Sequence, residues 1–120
     1  MGLRAWLVIS LAITAVGIWR LVTPAPLQQD DPRLHTGTSD IVMLAADWCG
    51  YCRKQQAAFE KAGVRYTWLD VETAKGAAAM QAVGGRGVPV TIVGQEVVHG
   101  YQPQRLHALL QPLGYPDVFR

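Results

Sequence analysis

The chain has 120 residues, half of them hydrophobic, with 11 Lys and Arg against 9 Asp and Glu for a net charge of +2. That composition allows one compact domain and excludes a disordered chain. No basic block is longer than Arg53-Lys54, so there is no stripe to neutralise a row of phosphates, and nucleic acid is not an expected partner.

The opening MGLRAWLVISLAITAVGIWRLV places Arg4 before an uncharged run over residues 5–19. Such a run is short of the ~20 residues of a membrane helix and at the upper end of a signal-peptide core. A snorkelling Arg20 extends it to Val22. The best cleavage sequence, Thr23-Pro24-Ala25 followed by Pro26, is a poor peptidase substrate. Residues 1–22 therefore read as an uncleaved signal-anchor in preference to a cleaved signal peptide. Arg4 and the amino terminus compete with Arg20 and Arg33 in the positive-inside count. A basic start running straight into an apolar core is the export arrangement, so the expectation is an inner-membrane anchor with the domain in the periplasm. Residues 23–38, TPAPLQQDDPRLHTGT, lack apolar periodicity and read as a flexible linker, with an r.m.s. span of roughly 20–24 Å.

Residues 39–120 alternate as an α/β domain does. IVMLAA over 41–46 is a short continuous apolar run, as in a strand covered on both faces. A helix follows from Cys49 to about Ala62 and stops at Gly63, which tolerates positive φ. Its buried stripe is Cys52, Phe59 and Ala62, weakened by Gln55 and Gln56. VRYTWLDV over 64–71 is β-branched and aromatic and reads as a strand. Thr73 caps a helix over AKGAAAMQAV that Gly84-Gly85 ends. VPVTIV (88–93) and EVVHGY (96–101) flank Gly94-Gln95, which suits a type II′ hairpin. Pro103 opens a closing helix whose Leu106, Leu109, Leu110 and Leu113 share one face. The order is β-α-β-α-β-β-α, with Phe59, Trp68, Met43 and Met80 as core candidates.

The only two cysteines, Cys49 and Cys52, stand three apart. Structural zinc needs four ligands, and beside this cysteine pair His35, His99 and His107 have no paired ligand spacing among themselves. A structural disulfide is compatible with export, yet so small a loop removes little chain entropy. A working dithiol fits the local physics: the start of a helix offers Cys49 unpaired N–H groups and the positive end of the macrodipole, which favour thiolate. Cys52, one turn further in, is shielded but within reach. Gly50 lets a partner backbone approach, Trp48 offers an apolar rim, and Tyr51 sits between the sulfurs as a tuning group or an exposed spacer. Arg53 and Lys54 add positive charge beside the pair.

DWCGYC ahead of a helix, with GVPV forty residues after Cys49 and a hairpin behind it, resembles the thioredoxin superfamily over about residues 40–113. Within it the compact order looks most like a glutaredoxin-sized domain. The resemblance implies a thioredoxin-like fold with a central mixed sheet flanked by helices and a thiol-disulfide oxidoreductase, a reductase or interchange catalyst, and the export pattern of residues 1–22 adds that its protein substrates are extracytoplasmic. The resemblance also implies Cys49 as attacking thiolate, Cys52 as resolving thiol, and a cis Val88-Pro89 bond with Pro89 against the cysteines and Val88 offering its backbone to a substrate strand. Trp48, Gly50 and Tyr51 complete the substrate rim. No dissociable cofactor or metal is implied, because redox equivalents travel in the cysteines and a partner protein replenishes them.

Departures from the family pattern accompany the matches. Met43 stands where thioredoxins carry a buried carboxylate, leaving Asp47 and Asp70 as the nearest alternatives. His99-Gly100-Tyr101-Gln102 replaces the Gly-Gly and acidic residues with which glutaredoxins hold glutathione, which argues against glutathione dependence. Two rival readings stay open: a non-catalytic module that holds a client in the Val88-Pro89 groove, and a copper-handling dithiol.

Overall fold

Strand β1 (Ile41–Ala45) forms the centre of the domain because its residues are apolar on both faces, and all but Val42 are buried. In the computed structural model, which describes residues 2–22 and 26–120 (the side chains of 20–22 excepted), β1 pairs in parallel with β2 (Thr67–Asp70) and antiparallel with β3 (Val90–Val93). β3 in turn pairs antiparallel with β4 (Glu96–His99), giving the sheet order β2-β1-β3-β4. The registers Met43↔Trp68, Met43↔Thr91 and Thr91↔Val98 align these residues across the sheet.

Helices cover both faces. On one side α2 (Gly50–Lys61) and α4 (Pro103–Leu110) pack Cys52, Phe59, Leu106 and Leu110 against Ile41, Met43, Ala45, Val93 and Val98. On the other, α3 (Ala74–Ala82) brings Ala79, with Val83 just beyond its end, against Leu44, Val90 and Ile92. The order β-α-β-α-β-β-α and the mixed sheet flanked by helices are as the sequence indicated.

Local chemistry explains the boundaries. Thr73 caps α3 by accepting the Gly76 N–H. Both α2 and α3 end in a left-handed glycine. Gly63 (φ +69°) and Val64 donate to the Glu60 and Phe59 carbonyls, and Gly84 (φ +69°) and Gly85 to those of Gln81 and Met80. This is the Schellman pattern. It also delays β2: the Val64 N–H is committed to closing α2, so strand pairing begins at Thr67 and not at Val64. The hairpin turn has Gly94 at φ +60° and no positive φ at Gln95, as a II′ turn requires.

Three expectations are corrected. Trp68 is not a core residue; it lies on edge strand β2 and is 42% exposed. Gln55 does not weaken the α2 stripe but belongs to it, fully buried, with its Nε2 donating to Thr91 Oγ1 at 2.6 Å. The supposed linker is docked from Asp31 onward. Asp31 and Thr36 are buried, Pro32–Leu34 forms a 3₁₀ turn capped by Asp31, Thr36 Oγ1 donates to the Gly94 carbonyl, and Gln95 Nε2 donates to the Arg33 and Gly37 carbonyls. Apolar periodicity does not register such a segment, because side chain to backbone hydrogen bonds hold it.

The amino-terminal segment forms helix α1 (Leu3–Val22). Among the described residues no helix is long and apolar enough to cross a membrane. The Arg20 side chain and the Thr23-Pro24-Ala25 cleavage sequence lie outside the described residues.

Candidate active site

β1 delivers the chain into a turn over residues 46–49, closed by the Cys49 N–H donating to the Ala46 carbonyl at 3.1 Å. Cys49 is the N-cap of α2 (φ −83°, ψ 111°), and its Sγ accepts the Cys52 N–H at 3.1 Å. The sulfur thus occupies the place a Ser or Asp side chain takes at a helix start, where a free donor and the helix dipole both favour negative charge. Cys49 and Cys52 are joined in a disulfide. They differ in access: Cys49 is 6% exposed and Cys52 is sealed at 0%.

Around this pair the structure assembles most of the residues picked out in the sequence. Gly50 begins α2 exposed, and a Cβ there would meet nothing within 4 Å, so the space at this position, next to Cys49 in the chain, is open. Trp48 is 67% exposed, its Nε1 donating to Glu72 Oε1 at 2.6 Å. Tyr51 is largely exposed but is no free spacer, because its ring stacks on Tyr101 at 5.4 Å. The Val88-Pro89 bond is cis. Val88 packs against the cluster that contains both cysteines, while Pro89 is buried and its carbonyl accepts the Gly100 N–H at 2.8 Å.

Other residues fall elsewhere. Asp47 is exposed, and the Asp70 carboxylate accepts the Glu72 N–H at 2.9 Å, so it serves the β2–α3 turn. Met43 is fully buried. Lys54 Nζ lies 5.4 Å from the Tyr101 ring centroid, a cation–π arrangement that ties it to the aromatic rim.

Sequence reasoning missed two features. Tyr101 and Phe119 extend Tyr51 into an aromatic chain, with 5.9 Å between their centroids and Phe119 reaching Phe59 at 6.0 Å. An aromatic residue directly after the hairpin was the available signal for Tyr101; nothing local marked Phe119. At the Val88-Pro89 element, where the sequence suggested a client groove, a groove is bordered by Gly84, Arg86, Gly87, Val88, His99 and Gly100, which brings His99 to the cis-proline element.

A glutaredoxin family model matches residues 41–98. Among solved structures, the fold is similar to NrdH-redoxin from Escherichia coli at 28% identity and TM-score 0.53, covering 58% of this chain and 93% of that one. It is similar to a glutaredoxin from Archaeoglobus fulgidus at 22% identity and TM-score 0.54, covering 62% and 89%. It is also similar to buckwheat glutaredoxin in its glutathione complex at 22% identity and TM-score 0.56, covering 69% and 86%. No curated protein matches the chain in sequence. The domain is thioredoxin-like in fold. Over residues 41–98 it is glutaredoxin-like and carries its Cys49–Cys52 pair at the start of α2.

Proposed function

We propose that the protein is a thiol-disulfide oxidoreductase working as a reductase or interchange catalyst on extracytoplasmic protein disulfides. The observation that carries this reading is the placement of Cys49 at the α2 N-cap, its sulfur taking the Cys52 N–H, with Cys52 sealed behind it. In the reduced protein the helix start favours the Cys49 thiolate, the form of the sulfur that attacks disulfides. That thiolate attacks a substrate disulfide: the Cys49–substrate S–S bond forms, the substrate S–S bond breaks, and the departing sulfur takes a proton. Cys52, after giving up its proton, attacks Cys49 Sγ; the intramolecular disulfide forms and the second substrate sulfur leaves. Two electrons pass to the substrate, and a partner dithiol restores the pair. Trp48, Gly50, Tyr51, Val88 and Pro89 form the surface on which the substrate strand lies.

Protein substrates are favoured over glutathione because His99-Gly100-Tyr101-Gln102 lacks the acidic residue of the glutaredoxin pattern. The NrdH-redoxin relative, itself described with a thioredoxin-like activity profile, is in keeping with this. Reduction of a protein disulfide tests the reading. Wild type turns over, Cys52→Ser accumulates a mixed disulfide, and Cys49→Ser forms none; a wild-type protein inert toward disulfides in both directions refutes it.

We further propose that α1 tethers the domain to the inner membrane with the domain in the periplasm. What supports a tether is the ring of apolar side chains on α1, Leu7, Val8, Ile9, Leu11, Ile13, Val16 and Ile18, each more than half exposed. Retention in the membrane pellet after carbonate washing, with a carboxy-terminal reporter active only outside the cytoplasm, is the expected result; a carbonate-soluble protein or a cytoplasmically active reporter refutes it.

A further inference from the structure

Gln55 follows Cys52 by one helical turn, so the two side chains share a face of α2, and both are fully buried. The Gln55 amide is held at one end only: Nε2 donates to Thr91 Oγ1 at 2.6 Å, and Thr91 is also fully buried, on β3 two residues after Pro89. At the other end, Oε1 is the one buried side-chain polar atom without a partner among the described residues. An orphaned buried acceptor is disfavoured and calls for an explanation. In the disulfide state Cys52 has no hydrogen to offer through its sulfur, and its backbone N–H is directed at Cys49 Sγ. Reduction places a new S–H donor in this sealed layer, one turn from the atom that lacks one.

We propose that Gln55 Oε1 accepts the Cys52 S–H in the reduced protein, making Gln55 a positioning residue that holds the resolving proton and favours the dithiol state; this rests on reading Cys49 and Cys52 as a redox pair. The acceptor is satisfied in one redox state and unsatisfied in the other, so its effect falls on the equilibrium between them. An amide cannot take the proton, so Gln55 orients the thiol until a base or solvent removes its proton and Cys52 attacks Cys49. Thr91 fixes which end of the amide faces the sulfur. The pair fills, with neutral groups, a layer from which Met43 excludes any carboxylate of β1.

The test is the reduction potential of the Cys49–Cys52 pair, equilibrated against a dithiol buffer. Gln55→Met keeps the length and removes the acceptor. It is expected to shift the thiol–disulfide equilibrium about tenfold toward the disulfide, about 30 mV more negative for a two-electron couple. Thr91→Ser, which keeps the hydroxyl, is expected to retain the wild-type potential. A purely structural Gln55 lowers the stability of both redox states together and leaves the potential where it was. A Gln55→Met potential within about twofold of wild type in equilibrium constant, or moved in the positive direction, overturns the proposal. If Gln55→Met does not fold, the infrared S–H stretch of reduced Cys49→Ser protein decides. A Cys52 band lowered by hydrogen bonding supports the proposal, and one at the position of an unbonded thiol overturns it. A wild-type pair that fails to equilibrate with the buffer removes the redox reading itself. A pair that equilibrates while the Gln55→Met potential stays fixed removes only the role of Gln55.

Discussion

Replacing Gly76 with Ala tests how the β2–α3 corner supports the site. In an ordinary helix the change is stabilising by up to about 1 kcal/mol. Here the new Cβ would stand 1.8 Å from the Asp70 carbonyl oxygen and 2.9 Å from the Val71 Cα. A carbon and a carbonyl oxygen normally approach to about 3.3–3.6 Å, so helix or corner must retreat by about 1.5 Å. That backbone cannot yield cheaply, because the same Asp70 carbonyl accepts from Thr73 N–H at 3.1 Å and Thr73 Oγ1 at 2.6 Å, and the Asp70 carboxylate holds Glu72 N–H. Taking about 3 kcal/mol for overpacking against backbone and subtracting the propensity gain leaves about 2 kcal/mol of net destabilisation. For a domain of this size that lowers Tm by about 8–16 °C. Urea and thermal unfolding of the oxidised protein measure it, with Gly50→Ala, whose Cβ meets nothing within 4 Å, expected to change stability by no more than about 0.5 kcal/mol. Glu72 anchors Trp48 Nε1, so Gly76→Ala is also expected to alter Trp48 fluorescence and weaken substrate binding at the rim. A Gly76→Ala protein as stable as wild type refutes the close packing and, with it, the route from α3 to Trp48.

Gln95→Ala removes the donor to the Arg33 and Gly37 carbonyls and is expected to cost about 1–2 kcal/mol of docking, read as faster proteolytic nicking within residues 31–38 with unchanged disulfide turnover. The Asp31 carboxyl is held below its ordinary value of 3.8 by hydrogen bonding from Arg33, against the opposing effect of burial. A lowered carboxyl pKa stabilises the fold above the unfolded value and loses that contribution as pH falls through the folded one. Pepsin nicking of residues 31–38 should therefore rise below about pH 4 in wild type, while Asp31→Asn should show the increase already at pH 5; a flat wild-type profile rejects the clip. Tyr51→Ala removes the stack on Tyr101, worth about 1 kcal/mol, and is expected to raise KM for a protein disulfide several-fold with kcat nearly unchanged. Equal losses in both would mean that the ring acts in the chemistry and not in the rim.

The features legible in the sequence are those whose cause is local. Period and turn chemistry announced the sheet, the two glycine-terminated helices and the hairpin, because Gly63, Gly84 and Gly94 each take a positive φ that favours glycine. The cysteine pair announced itself through spacing and its place after an apolar strand. What stayed hidden depends on partners distant in the chain. Thr36 is buried because Gly94 lies 58 residues away, and Tyr51 is ordered by Tyr101. Gln55 was discounted as a polar fault in a stripe, since its partner Thr91 is 36 residues further on and looks like any β-branched strand residue. The missed polar contacts and the proposed chemistry meet there. β1 contributes an apolar Met43 to the buried cluster that holds both cysteines, so polarity in the layer around Cys52 has to come from α2 and β3. Gln55 and Thr91 supply it as a neutral pair. A neutral pair can bias a thiol by donating or accepting a hydrogen bond but cannot relay its proton. Deprotonation of Cys52 is therefore expected to follow solvent or substrate access at Cys49, and the mixed-disulfide lifetime to shorten with rising pH without the inflection near pH 7 that a buried carboxylate with a raised pKa would impose.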